Sequence, residues 1–480
     1  MNFKSIFNLI GILLVIFSLS FLPPILITII FNENNYEFFF YPFLFLFFLG
    51  GIIWFFTKQK KLTLNISDGF VVTTLFWIVL AIAGSLPFYL FGLDIISALF
   101  ESVSGITTTG ATTIVGLDDM PKSILLYRQL LQWMGGMGLI ILAVAVMPAF
   151  GIGGGQLYKM ELPGSHVSQK LTPRIADSAK ALWKIYVGLT LMCCLLYLVA
   201  GMGIFDAISH SLSTVAGGGF STHDENIGFF NNGFVETICI IFMLLSAASF
   251  AVHYSAIFGG KPLKYIYDSE FRFFLSVVFI ISTVVFIFLY LSNSYADVYL
   301  ALEAAIFHTV SIITTSGFTT ENFSLWPGFL PYLLLVGAFM GACSQSVGGG
   351  IKAWRVLIMI NQAYKEILKT IHPNAVFSSK IGVKVIDAKI AERVWGFFSI
   401  YVFIFMLLLL AMLGTGLGFE SSFSAIGATL NNLGPGLDEV SRNYLEVSDL
   451  GKLLLCFAMI LGRLEIFTLL VLFTPAFWNR

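Results

Sequence analysis

Charge is scarce in this chain. Only 11% of its 480 residues are Asp, Glu, Lys or Arg, against about a quarter in a soluble globular domain, which argues against a soluble fold of this length. Cysteine is nearly absent. The five present (Cys193, Cys194, Cys239, Cys343 and Cys456) sit in apolar stretches with no CxxC spacing. That pattern speaks against disulfides and thiolate metal sites and for small buried hydrophobes. The six histidines make no HExxH or ligand cluster. One phosphate-loop lookalike, Gly151 to Gln156, follows an apolar run and lacks both strand and lysine, so it reads as a flexible turn. No polar stretch is long enough for an enzyme domain; the longest run from Lys365 to Lys389 and from Tyr158 to Lys184.

What abounds is apolar. Hydrophobic residues make up 58% of the chain, 50 residues are Phe, and the mean hydropathy is +0.90, as a lipid-facing surface demands. About 20 apolar residues cross a bilayer. The runs long enough are Ile6–Ile30, Phe38–Phe56, Phe70–Leu90, Leu125–Phe150, Ala181–Met202, Phe234–Phe258, Phe271–Leu291, Phe329–Ile360 (interrupted), Val394–Leu413 and Leu450–Phe473. The first exceeds a signal-peptide core and has no cleavage site behind it, so it is expected to remain as a span that Pro23 and Pro24 kink or end. Four shorter segments, Asp94–Ile106, Asp206–Val215, Asp297–Ile313 and Glu420–Leu430, each open on an acidic residue, which suits a helix N-terminus. At ~1.5 Å per residue they are mostly too short to cross and fit re-entrant helices.

Placing the N-terminus inside, with the short segments re-entering from outside, sorts the loops by charge. The inner group (Lys4, Lys58 to Lys61, Lys159 to Lys184, Lys261 to Arg272, Lys352 to Arg393, Arg480) is strongly basic and the outer group strongly acidic, as the positive-inside rule requires. The expectation is an all-α polytopic membrane protein. A two-helix prefix (1–66) precedes four helix–pore-loop–helix repeats at 67–157, 158–260, 261–372 and 373–480. Ten spans and four re-entrant pore helices would surround a central pore.

After each short segment comes a glycine-bearing turn: TTTGAT (Thr107 to Thr112), AGGGFST (Ala216 to Thr222), TTSGFTT (Thr314 to Thr320) and NNLGPG (Asn431 to Gly436). The key glycines are Gly110, Gly219, Gly317 and Gly434. Non-helical backbone at membrane depth is tolerated only around a water-filled or protein-lined cavity. There its carbonyls can replace the hydration shell of a monovalent cation, and glycine allows dihedrals that aim successive carbonyls at one axis. The short helices direct the negative ends of their dipoles toward the loops. No carboxylate lies within the loops, which disfavours a divalent-selective ring. One such turn alone reads as small-residue helix packing; four at matching places do not.

Nine residues before the glycines stand Glu101, His210, His308 and Ala425, the histidines reading as packing or hydrogen-bonding groups. His223 and Asp224, just past the second turn, read as solvent-exposed. Gly341 to Gly350 places four glycines inside a span and should break its helix; a simple kink is the alternative. Arg463 lies mid-way along the last span, where a charge faces a cavity or a partner, or is satisfied by carbonyls or a distant acid. Glu465 is about 200° around the helix from it and cannot pair with it on one face. These two are the internal charged residues the sequence singles out.

The loops TTTGAT, TVAGGGFSTHD, TTSGFTT and TLNNLGPG, with GACSQSVGGGIK (Gly341 to Lys352) and LGRLEIFT (Leu461 to Thr468), resemble segments of the Trk/Ktr/HKT superfamily of cation uptake proteins. The resemblance runs from Gly69 to the C-terminus. The N-terminal pair and STHD (Ser221 to Asp224) resemble its TrkH/TrkG branch, membrane subunits of bacterial potassium uptake systems. It implies potassium sites at Gly110, Gly219, Gly317 and Gly434, completed by carbonyls of Thr108, Thr109, Gly217, Gly218, Thr315, Ser316, Asn432 and Leu433. Sodium-preferring members can carry Ser at the first glycine, so Gly110 implies potassium. Three consecutive glycines in the second loop depart from the pattern and imply greater mobility there.

The resemblance also implies a gate. The Gly341–Gly350 stretch would block the pore beneath the filter, with Gly348, Gly349, Gly350, Lys352 (a helix-end cation or loop anchor) and Arg463 (an electrostatic barrier) forming it. It implies a transporter and not an enzyme, with no cofactor bound by this chain beyond the transported potassium ion, and no nucleic-acid partner. The further implications are a homodimer in the bacterial inner membrane, its N-terminus cytoplasmic, docked on a cytosolic ring of TrkA-type subunits that bind NAD(H) or ATP. Two other readings stand beside it: a sodium-permeable or sodium-dependent transporter of the same superfamily, and a membrane-embedded enzyme, for which a catalytic cluster at depth is missing.

Overall fold

The computed structural model describes residues 1–59, 65–138, 175–375, 377, 380–382 and 384–479, and these are predominantly helical. Among them, six helices are long and apolar enough to cross a membrane alone: Phe3–Ile30, Glu37–Thr57, Ser67–Phe91, Ala179–Val199, Ser269–Leu291 and Ala388–Leu413. Two further pairs are bent, Gly233–Ala247 with Phe250–Ile257 by 100° and Asp449–Arg463 with Phe467–Phe473 by 105°. The remaining expected spans are the interrupted pair Leu330–Met340 and Ala353–Ile371, and the helix Lys122–Trp133. The latter passes through a π turn, Met134–Gly138, into residues outside the described set. The Gly151 to Gln156 turn and most of the basic stretch Tyr158 to Lys184 also lie outside it. Within the polar stretch from Lys365 to Lys389, a two-residue antiparallel pair joins Lys380–Ile381 to Lys384–Val385.

A common plan emerges in the four repeats. Each has a straight first helix (Ile66–Phe91, Ile175–Val199, Ser269–Leu291, Ala388–Leu413), a short buried helix, a loop, and a second helix that departs from regular α geometry. The first helices carry exposed apolar side chains such as Phe279, Leu291, Phe403 and Leu410 outward, where lipid is the solvent. The short helices Ile95–Ile106, Ile204–Ala216, Val298–Ile313 and Phe419–Leu430 are buried over most of their length, including Ser104, Ser213, His210 and His308. Their Ser, Thr and His side chains are thereby kept from lipid. Asp94 and Asp297 cap two of them, accepting from Ser97 N at 2.9 Å and Tyr299 N at 3.0 Å. Asp206 and Glu420 instead lie in the first turns of the other two, behind Gly203 and Gly418, where they complement the dipole.

Three expectations need correction. Of the two outcomes expected of Pro23 and Pro24, ending the first span does not occur: they occupy the first turn of Leu22–Ile30, where no helical N–H is required, and the span is only locally disturbed, by one 3-10 turn at Leu19–Phe21. The Phe234–Phe258 run is no straight span but folds back at Ala248 and Ser249. The last span is not one continuous helix: Arg463, mid-way along it, closes the first part, and Glu465 and Ile466 follow with φ of 51° and 62°.

Candidate functional site

All four short helices end the same way. The N–H one residue before each key glycine bonds back to the carbonyl five residues earlier: Thr109 to Ser104 (2.9 Å), Gly218 to Ser213 (3.1 Å), Ser316 to Ser311 (2.9 Å) and Leu433 to Ala428 (2.8 Å). The N–H before that closes the inner bond, Thr108 to Gly105, Gly217 to Thr214, Thr315 to Ile312 and Asn432 to Thr429. This is a Schellman ending, which needs a left-handed residue at its turn. Thr108 (φ 56°), Gly217 (63°), Thr315 (59°) and Asn432 (54°) supply it. Gly217 adopts it freely and Asn432 tolerates it, whereas a β-branched Thr there is an outlier.

The three non-glycine residues are held from below. Thr108 Oγ1 accepts from Arg463 Nη1 at 3.3 Å, and Thr315 Oγ1 from Gly349 N at 2.6 Å. Asn432 Nδ2 donates to Thr109 Oγ1 and to Met459 O, each at 3.0 Å.

Two residues on, the key glycines are left-handed again: Gly110 (82°), Gly219 (78°), Gly317 (77°) and Gly434 (99°). They close a ring. An L-Cβ on Gly110 would come under 3.0 Å from the carbonyl oxygen of Gly218, one on Gly219 from Ser316, one on Gly317 from Leu433, and one on Gly434 from Thr109. Each loop thus abuts the carbonyl of the next, and the fourth abuts the first. The structure brings all twelve predicted loop residues to this one ring. Their N–H groups before the glycines are spent on the helix ends. Among the described residues no donor reaches the carbonyl oxygens of Thr108, Thr109, Gly110, Gly217, Thr315, Ser316, Gly317, Asn432 or Leu433. Buried carbonyls without donors are uncommon. Nine around one axis form an array of partial negative charge.

Beyond each glycine the returning chain is pinned to its own short helix. Glu101 accepts from Thr112 Oγ1 (2.6 Å) and Ile114 N (3.3 Å), and His210 Nε2 meets Ser221 Oγ (2.9 Å). His308 Nε2 lies 3.3 Å from Glu321 O, and Ser424 Oγ accepts from Leu437 N at 2.9 Å. The sequence reading missed that Glu101 is buried with Arg128, at 3.4 Å. Arg128 also donates to Ser221 O at 3.2 Å and lies 4.1 Å over the Phe220 ring, joining repeats 1 and 2. The second loop is not left loose by its three glycines: Gln132 bonds Gly218 O at 2.6 Å and accepts from Phe220 N at 3.1 Å.

On one side the ring opens into a cavity of about 570 Å³ lined by all four loops and by Asp224, Glu225, Glu321 and Arg442. At its rim His223, expected in solvent, is half-buried. Its Nδ1 is 2.5 Å from Asp118, its Nε2 is 3.6 Å from Asp206, and its ring stacks on Phe229 at 3.5 Å. Burial alone pulls its pKa down, but hydrogen bonds to Asp206 and Asp118 and their charges outweigh this and hold it above the ordinary 6.5. A raised value means the tie is complete below pH 6.5 and is lost as pH rises through the folded-state value. Hydrogen exchange at Gly116 and Leu117, whose amides bond Asp224, should quicken through that range relative to other loops. His223→Gln should remove the step; an unchanged pH profile in that variant would refute the tie.

On the opposite side lie the breaks of the second helices, and they interlock. Cys343 N donates to Ala247 O (3.1 Å) and Phe250 N to Gln345 O (3.0 Å), so the Gly341–Lys352 stretch takes over hydrogen bonds that the bent helix of repeat 2 lacks. Arg463 donates to Val347 O at 3.0 Å and to the carbonyls of Gly135 and Gly136 in the π turn of repeat 1. Lys352 is buried and donates to Gly348 O. Glu465 pairs with Arg355 rather than Arg463. Buried charge is therefore more plentiful than Arg463 and Glu465 alone, since Glu101, Arg128, Lys352 and Lys452 are all enclosed. Among the described residues no group of three or more His, Cys, Asp or Glu is arranged to hold a metal ion.

The family model for TrkH, cation transport protein, matches residues 36–480. The chain is 47% identical over 484 residues to the Trk system potassium uptake protein TrkH of Vibrio parahaemolyticus and 45% identical over 483 residues to that of Escherichia coli K12, covering all of each. It is 39% identical to the Trk system potassium uptake protein TrkG of Escherichia coli K12, across 99% of both chains. The crystal structure of the potassium transporter TrkH from Vibrio parahaemolyticus superposes with a TM-score of 0.91 at 46% identity, each chain covered in full.

Proposed function

We propose that this chain, which belongs to the TrkH family of cation transport proteins, passes potassium along the axis of its four-loop ring and shuts that path with the interlocked breaks beneath it. Potassium uptake is its function; it is a transporter and not an enzyme, it lies in a membrane, and potassium is the ion carried. The observation that supports the path is the set of nine donor-free carbonyls around one axis. Oxygens so placed stand in for the hydration shell of a monovalent cation, and no carboxylate occurs in the loops to favour a divalent one. Thr108, Thr109, Gly110, Gly217, Gly218, Gly219, Thr315, Ser316, Gly317, Asn432, Leu433 and Gly434 are the filter in this reading. The acidic rim of the cavity would gather cations before entry.

Gly348, Gly349, Gly350, Lys352 and Arg463 are the gate in this reading. Arg463 sets a fixed positive charge directly under Thr108, and Gly349 is bonded to Thr315, so gate and filter share hydrogen bonds. The repeat boundaries expected from the sequence, a homodimer in the inner membrane, a cytoplasmic N-terminus and a TrkA-type cytosolic regulator complete the proposal. The basic loops favour that orientation, and membership of a Trk system favours further components.

The test is uptake in a potassium-uptake-deficient bacterium. Gly110→Ser should lower preference for potassium over sodium by about tenfold, since its Cβ must displace Gly218 O. Arg463→Ala should raise the rate. Unaltered preference in the first would refute the filter reading, and a rate no higher in the second would refute the barrier.

A further inference from the structure

We infer that Gln132 is a specificity-determining residue of the filter: from the second helix of repeat 1 it holds the loop of repeat 2 in shape, and so sets the ion preference of the ring. This rests on the filter reading above. Gln132 is fully buried in Lys122–Trp133. Its Nε2 donates to Gly218 O at 2.6 Å, and its Oε1 accepts from Ser213 Oγ at 2.6 Å and Phe220 N at 3.1 Å. The amide orientation is unambiguous, because a carbonyl can only accept and a backbone N–H only donate. One side chain therefore grips the backbone on both sides of Gly219.

The second loop needs this help more than the others. Loops 1 and 3 carry their own braces, hydroxyl pairs between Thr107 and Thr109 (2.8 Å) and between Thr314 and Ser316 (2.9 Å). In loop 4, Asn431 bonds Gly427 O at 2.8 Å. Gly217, Gly218 and Gly219 have no side chain with which to do the same. Gly218 itself is explained by Gln132. Its backbone is not left-handed, so nothing in its dihedrals demands glycine, yet a Cβ there would fall within 2.8 Å of the Gln132 amide nitrogen. Gly218 and Gln132 are thus a matched pair across two repeats. The bond also weakens one oxygen of the ring: Thr109, Ser316 and Leu433 carbonyls receive no donor from the described residues, whereas that of Gly218 shares its lone pairs with an amide. Carbonyl number and field strength are what a filter discriminates with.

Rubidium-tracer uptake, competed by potassium or sodium, tests this in the full chain. Gln132→Glu keeps both acceptor bonds, removes the donor and turns an oxygen toward Gly218 O. Discrimination should fall by about tenfold, the loss of one buried hydrogen bond. Unchanged discrimination in Gln132→Glu, beside a shift in Gly110→Ser, would overturn the inference and leave the filter standing; no shift in either would overturn the filter itself. The second arm uses Gly218→Ala, which should lose uptake, and Gly218→Ala with Gln132→Ala, which should regain at least part of it because space is freed for the Cβ. A Gly218→Ala variant that transports normally, or a double variant no better than the single, would overturn the pairing. If Gln132→Glu does not accumulate in the membrane, this rescue arm decides the matter alone.

Discussion

Replacing Gly317 with alanine should cut potassium uptake by about 100-fold or more, equivalent to ~2.8 kcal/mol in the barrier. Two costs add at this position. The left-handed backbone, φ 77°, costs an L-residue about 1–2 kcal/mol. The Cβ would then meet Leu433 O and stand 3.0 Å from Pro435 Cδ, so the third and fourth loops must part. Gly328 separates the two costs. It is also left-handed, at 68°, but a Cβ there meets no atom within 4 Å. Gly328→Ala should therefore carry only the conformational cost and transport nearly as the parent does. Uptake at limiting potassium, normalised to the amount of protein in the membrane, makes the comparison. If Gly317→Ala loses no more than Gly328→Ala, loop-to-loop packing does not govern transport.

The second large effect is on stability. Glu101 and Arg128 are 0% and 1% exposed, and removing one partner of such a pair leaves an uncompensated buried charge, at a cost of about 3–5 kcal/mol. Arg128→Met would leave the Glu101 carboxylate bonded only to Thr112, Thr113 and Ile114. Glu101→Gln would leave a guanidinium over the Phe220 ring. Each single variant should unfold well below the parent in detergent, and the double Glu101→Gln with Arg128→Met should recover part of the loss. A double variant less stable than both singles would show that the two residues act separately. Because the pair also holds Thr112 and Ser221, the singles should lose ion discrimination along with stability.

The loops were legible in the sequence because glycine at a repeated position is a conformational demand, and the four demands coincide in the structure at φ values of 77–99°. The short helices were legible by length and by the acids that start them. The bends were not. Hydropathy registers composition and is blind to direction, and Ala247-Ala248-Ser249 contains neither proline nor glycine. That break is imposed from another repeat, through the bonds of Cys343 to Ala247 O and Gln345 O to Phe250. The angular argument separating Arg463 from Glu465 assumed a helix that has already ended. Thr108 and Thr315 could not be foreseen as left-handed, since their local preference is opposed and the compensation comes from Arg463 and Gly349. Gln132 carried no motif at all; its partner Gly218 was the visible half of the pair.

A pore assembled from four identical subunits receives every substitution four times over. Here one polypeptide supplies each quadrant separately, so a single codon change touches one quarter of the ring. The position two residues before the key glycine already reads Thr, Gly, Thr and Asn around the circle, four solutions to one geometric requirement. Substitutions that spare the glycine contacts between loops therefore alter one quadrant's carbonyls alone, and ion preference in such a chain can drift in small steps that a fourfold-repeated change would not allow.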